Sequence, residues 1–196
     1  MKKVVLLAAI VITAQAGFSQ GLLKRLSFGI KGGANYSNFT NASFDTEGLT
    51  GYHGGLIVNL KLAGNLSIQE EFLYSTQGAK IKSGLSLTDP DLKLSYMSIP
   101  IMLKYHSIIG LYGEIGGQAN MLIEDAKNTG YKDFADKIDA GAVVGLGYQF
   151  KLGPVKGLGI GARYYHGFTK VGKFTASSIQ PDFKNSVAQG SVFYIF

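Results

Sequence analysis

The sequence predicts an all-β chain, an eight-stranded antiparallel up-and-down transmembrane β-barrel, on three observations. Apolar residues recur with period two in about eight stretches, each roughly the ten residues that a tilted strand needs to cross a bilayer. The connections between these stretches alternate strictly between short and long. A short apolar segment behind two lysines opens the chain and reads as an export signal.

In that opening segment Lys2 and Lys3 precede "VVLLAAIVITA", and Ala14-Gln15-Ala16 supplies small residues at cleavage spacing. The run from Val4 to Ala14 is shorter than the roughly 20 residues of a membrane helix. Residues 1–20 are therefore expected to be a signal peptide, cleaved between Ala16 and Gln20, and 21–196 the barrel domain. Loss of Lys2 and Lys3 from 19 basic residues against 13 acidic lowers the formal charge from +6 to +4, too small an excess to imply nucleic acid. With 46% hydrophobic and 16% charged residues the chain is not a disordered one. The 27 Gly, 11 Tyr and 12 Phe favour sheet with tight turns, and 0 Cys excludes disulfides and thiolate metal sites.

Taken in order, Phe28, Ile30, Ala34 and Tyr36 alternate with Lys31, Gly33, Asn35 and Ser37. Tyr52, Leu56, Val58 and Leu60 alternate with His53, Gly55, Ile57 and Asn59. The same period predicts strands near 66–77, 95–105, 110–122, 138–150, 158–168 and 186–196. Connections near 62–65, 106–109 and 151–157 are short; those at 38–50, 78–94, 123–137 and 169–185 are long and polar. That rhythm is the one of outer-membrane barrels, with periplasmic turns at one rim and extracellular loops at the other. An even strand number places both termini at the short-turn rim. Lys24, Arg25, Lys61, Lys151 and Lys156 lie there without an acidic residue, where they either snorkel to anionic headgroups or stand solvated, while the charges of the long loops cancel.

A membrane barrel turns its apolar face outward. On 138–150 the larger apolar set is Ile138, Ala140, Ala142, Val144, Leu146, Tyr148 and Phe150. Tyr105, Tyr148, Phe150, Tyr194 and Phe196 are expected in one interfacial girdle, and Tyr36, Tyr52, Phe72 and Tyr74 nearer the other. The opposite face collects Lys31, Glu71, Lys104, Glu114, Asp139 and Arg163, expected as a lumen network of ion pairs, because buried charges persist only when paired. Gln69, Met102 and Tyr165 add bulk, so no open pore is expected. Glu70 falls on the lipid face beside Ile68, Phe72 and Tyr74, against the pattern, so that either it sits near the interface, a few residues above a short turn, or a bulge shifts the register locally. The closing "GSVFYIF" places Val192, Tyr194 and Phe196 on one lipid-facing side, docked in the barrel seam. It is similar to the C-terminal signal read by the barrel-assembly machinery.

Several stretches resemble the PorT-like family of Bacteroidetes outer-membrane β-barrel proteins: "FGIKGGANYSNF", "LSIQEEFLYSTQGAK", "LSYMSIPIMLKY", "IDAGAVVGLGYQF" and "GIGARYYHGFT". Ile99-Pro100 followed by Leu103-Lys104-Tyr105 is the most specific part, since proline is rare inside a central strand. The chain departs from the family at Glu70, where proline is usual, and at Ser98, where an acidic residue is common. The resemblance implies an integral outer-membrane location and an eight-stranded barrel, and the family's namesake is linked to secretion and maturation of exported proteases.

Catalytic motifs are sparse. His53, His106 and His166 show no metal spacing, and His166 with Ser177 or Ser178 is the one pairing that a rim hydrolase could use. "GLGIGAR", Gly157 to Arg163, lacks the following helix of a phosphate loop. Asp89 and Asp91 around Pro90 fit a solvated turn better than a calcium site. The expectation is a non-enzymatic barrel without cofactor or metal. Its expected partners are outer-membrane lipids, the barrel-assembly machinery, and secretion components or surface glycans met through the loops. The alternatives are a lipocalin-like periplasmic or secreted carrier of an apolar ligand, and a lipid-modifying outer-membrane hydrolase.

Overall fold

A computed structural model describes residues 23–42, 45–83, 91–125, 135–153, 155–172 and 182–196. The signal segment 1–20 lies outside these residues, as do Asp89, Ser177 and Ser178. Eight strands follow in order: β1 Leu26–Thr40, β2 Asp45–Ala63, β3 Leu66–Ser83, β4 Asp91–His106, β5 Leu111–Glu124, β6 Ile138–Gln149, β7 Leu158–Gly167 and β8 Lys184–Ile195. Each pairs antiparallel with its sequence neighbour, and β8 returns to β1, closing the barrel.

The stagger of this closure can be read from the register. A row starting at Phe28 passes through Val58, Glu70, Ile101, Gly117, Ala142, His166 and Ser186, and returns to β1 at Asn38. For eight strands that offset requires a tilt of about 40° and leaves an interior that side chains just fill. Burial alternates accordingly. On β4, Ile101, Leu103 and Tyr105 are exposed, while Pro100, Met102 and Lys104 are buried. At about 3.3 Å per residue and that tilt, Met97 to Tyr105 rises roughly 20 Å, the scale of the apolar band of a membrane barrel. Phe28, Tyr105, Tyr148 and Tyr194 ring its lower edge; Tyr36, Tyr52 and Tyr74 stand near the upper one, the last two with centroids 6.0 Å apart.

The short turns lie where the sequence predicts them. Gly64 adopts φ 54° in the turn between β2 and β3, a conformation that a side chain would strain. The long connections at 38–50 and 78–94 require correction. Only residues 41–44 separate β1 from β2, and β3 and β4 run on to Ser83 and from Asp91. Above the band the two faces exchange polarity: Phe39, Ala79, Ile81, Leu92 and Leu94 turn inward as a buried cluster, and Lys80, Lys82 and Lys93 face out. Outward ion pairs join Lys82 to Glu47 at 3.4 Å and Lys93 to Asp91 at 3.7 Å. Register shifts at Gly48/His53 and Ser95/Tyr96 fall near this crossover, where a bulge can re-aim a strand. The polar residues that read as loop are the outer wall of a barrel standing in water.

This placement separates lipid-facing from water-facing wall. Ile101→Arg is expected to lower stability in lipid vesicles by about 2–4 kcal/mol, and Asn38→Arg, above the crossover, by no more than about 1 kcal/mol. Urea unfolding in vesicles measures both.

Candidate functional site

The lumen is filled in layers. At the short-turn end Ile57, Tyr112 and Phe193 form an apolar floor, with the Tyr112 and Phe193 rings 5.9 Å apart. Glycines of "GLGIGAR" make room for it: a Cβ at Gly159 would stand 2.2 Å from the Phe193 ring, and one at Gly161 2.1 Å from the Tyr112 hydroxyl. Lys104 rests on this floor, its Nζ 3.7 Å from the Tyr112 centroid and 4.8 Å from that of Phe193.

Directly above lies an ion cluster drawn from β1, β3, β4, β5 and β7. Arg163 donates from Nη1 to Glu71 Oε2 at 2.8 Å, from Nη2 to Glu71 Oε1 at 2.9 Å, and from Nε to Glu114 Oε1 at 2.9 Å. One planar guanidinium thus holds both carboxylates, using the fork geometry that lysine lacks. Lys31 Nζ donates to both Glu71 oxygens at 3.3 Å. Lys104 Nζ lies 3.6 Å from Glu114 Oε2 and donates to Gln69 Oε1 at 3.1 Å, while Gln69 donates to Glu71 at 2.6 Å.

Of the six lumen charges named from sequence, the structure brings together Lys31, Glu71, Lys104, Glu114 and Arg163, and sets Asp139 apart. Asp139 sits near the upper edge and accepts from Asn120 and Asn185 at 3.0 Å each and from Thr169 at 3.1 Å. It is satisfied by neutral donors. The cluster therefore holds three cations against two carboxylates.

A second chain of polar groups escaped the sequence reading. Asn35 Nδ2 donates to the carbonyls of Tyr52 and Thr76, at 3.1 and 2.9 Å, and this turns its Oδ1 toward His53. His53 Nδ1 lies 2.7 Å from that oxygen and so carries the proton; Nε2, 2.9 Å from Ser191 Oγ, accepts the hydroxyl. Serine, imidazole and amide stand in the order of nucleophile, base and orienting group. All three face the interior and are buried, with Ser191 9% exposed, so the chain ties β1, β2 and β8 together where an acyl substrate has no approach. His166, named for a rim hydrolase, faces outward next to the Phe168 ring. The only sequence signal for the His53 chain is its phase, shared with Lys31 and Glu71.

Met102, Val143, Tyr165 and Val187 pack above the ions, and the Phe39–Phe183 pair, with centroids 4.6 Å apart, joins the upper cluster that caps the interior. On the outside, Val192, Tyr194 and Phe196 face lipid. β8 is held between β1 and β7, with Phe196 N–H donating to Phe28 O at 2.8 Å. Glu70 also lies on the lipid face, opposite Val58 and Ile101 in unbroken register.

Because Glu71 serves two cations, it should matter more than the residue that bridges it. Arg163→Met leaves the Lys31–Glu71 and Lys104–Glu114 pairs balanced, whereas Glu71→Gln leaves three cations facing one carboxylate. Glu71→Gln is expected to cost about 3–5 kcal/mol and Arg163→Met less, with Lys31→Met partly restoring the Glu71→Gln barrel. Unfolding midpoints in detergent, read by heat-modifiable mobility, decide the order.

A family described as outer membrane protein beta-barrel domain matches residues 13–172. Among curated proteins no match is found. The solved structure of the outer membrane protein OprG from Pseudomonas aeruginosa is 16% identical, with a TM-score of 0.53, covering 87% of this chain and 95% of that one. Neisserial surface protein A is 14% identical, with a TM-score of 0.51, covering 86% of this chain and 97% of that one. At these identities the likeness is one of fold, an eight-stranded closed barrel. With its apolar outer wall, filled polar interior and a family match over most of its length, the chain belongs to the outer membrane protein beta-barrel domain family.

Proposed function

We propose that this small outer-membrane barrel is a non-conducting, non-enzymatic mount that works through its loop end, as a binding surface or as an accessory to secretion or envelope assembly. The observation that carries this reading is the Arg163-centred ion cluster enclosed between an aromatic floor and an apolar cap. A pore would keep those charges in water, and a carrier of apolar ligands would line its interior the other way round. What is left to present to a partner is the wall that stands above the membrane and the loops it supports. The similarity of five stretches to the PorT-like family favours the secretion or assembly role. Its members' outer-membrane setting also supports an orientation with short turns in the periplasm.

Two experiments test this. The purified protein in planar bilayers is expected to give no stable conductance, and reproducible large single-channel steps would overturn the filled-lumen reading. If "GSVFYIF" is also the assembly signal, Phe196→Asp should reduce outer-membrane levels well below those of Asp91→Ala in the loop-end wall. Equal levels of the two variants reject that role.

A further inference from the structure

The short-turn rim combines two features that a water-facing turn does not need. Its tips are apolar and bare: Ile108 is 84% exposed and Leu152 85%, with Ile109, Val155 and Leu23 also open. The charges beside them are all positive, Lys24, Arg25, Lys61, Lys151 and Lys156, and among the described residues no acidic side chain lies in these turns. The basic groups divide into two kinds. Arg25 donates to Leu62 O at 3.1 Å, and Lys151 reaches across to the carbonyls of Ser107 and Ile108. Arg25 ties the segment before β1 to the end of β2, and Lys151 ties the turn that carries Leu152 to the turn that carries Ile108. Among the described residues the side chains of Lys24, Lys61 and Lys156 hold no turn carbonyl, and all three are exposed.

Depth supplies the rest. The lower aromatic ring of Tyr105 and Tyr148 marks the edge of the hydrocarbon, and the tips begin within a few residues of it, at headgroup level. Apolar side chains at that depth exchange water for the acyl boundary, and lysines there meet phosphates.

We propose that this rim is a phospholipid-binding collar: Ile108, Ile109 and Leu152 immerse in the headgroup layer of the nearer leaflet, and Lys24, Lys61 and Lys156 take its phosphates. The occupant is an anionic phospholipid, argued from an all-basic rim and from continuity with the aromatic ring. Each lysine near such a surface strengthens attachment about fivefold, so three together make the collar selective for anionic over zwitterionic lipid. The collar rests on the outer-membrane reading but not on the function of the loop end.

The chain contains no tryptophan, so a single introduced one reports alone. Ile108→Trp and Leu152→Trp barrels are inserted into phosphatidylcholine vesicles with and without phosphatidylglycerol, insertion being read separately by heat-modifiable mobility. Failure to insert would count against the outer-membrane reading, and the collar falls with it. For inserted barrels the collar requires blue-shifted emission, quenching by lipid brominated near the carbonyl end of the acyl chain, and a stronger effect with phosphatidylglycerol. Lys24→Glu/Lys61→Glu/Lys156→Glu should abolish the lipid preference, leaving mobility unchanged. Emission typical of water with full acrylamide access in both vesicles overturns the collar. So does shielding that ignores both lipid type and charge reversal, or shielding that appears only after a soluble periplasmic extract is added, which would make the partner a protein.

Discussion

The interior of this barrel depends on two buried carboxylates, Glu71 and Glu114, being met by cations from three other strands, with one guanidinium joining them. Arg163 from β7 reaches Glu71 on β3 and Glu114 on β5, across the full width of the lumen. Lys31 and Lys104 then attach β1 and β4 to the same carboxylates. An eight-stranded membrane barrel that packed its inside with apolar side chains alone would make every strand hydrophobic on both faces and weaken its register signal. Charge inside resolves this, provided the charges meet. The aromatic floor and the apolar cap keep water away, so the ions rely on each other.

The second constraint is that the wall crosses two solvents. Within the band the outer face is apolar and the charges lie inside; above it, Phe39, Leu92, Leu94 and Phe183 are inside and lysines outside. The strands do not end where the lipid ends. They change the solvent they are written for, and the barrel continues as an ordinary water-soluble one. The loop end therefore rises from paired strand, with β1 running to Thr40 and β2 starting at Asp45.

Strand number, order and facing were legible in the sequence because the period of two is local and the turn lengths alternate. The extent of β1 to β4 was not, because the phase of the pattern reverses at the crossover and a reversed phase reads as the end of a strand. Most of the lumen charges could be named from their shared phase, but not their grouping. Asp139 lies on the same phase as Arg163, yet it stands near the start of β6, well away from Gly145, the partner of Arg163, and among amides; which charges share a level follows from the register between strands, which no single segment carries. The Asn35–His53–Ser191 chain was hidden for the same reason, its members being separated by 18 and 138 residues along the chain. Glu70 remains an exception to the pattern in both views, and nothing in the structure explains it.

The contrast between wall and lumen also bears on how such a barrel can change over evolutionary time. A lipid-facing position asks only that a side chain be apolar, and lipid fits itself to any shape, so exchanges among Leu, Ile, Val and Phe there are independent of one another. A lumen position is bound to its partners: altering Glu71 touches Lys31, Gln69 and Arg163 together. Outer positions should therefore drift freely, while inner ones change rarely and in concert. Two barrels can then keep one architecture while sharing as little as 14% of their residues, as this chain and the neisserial protein do.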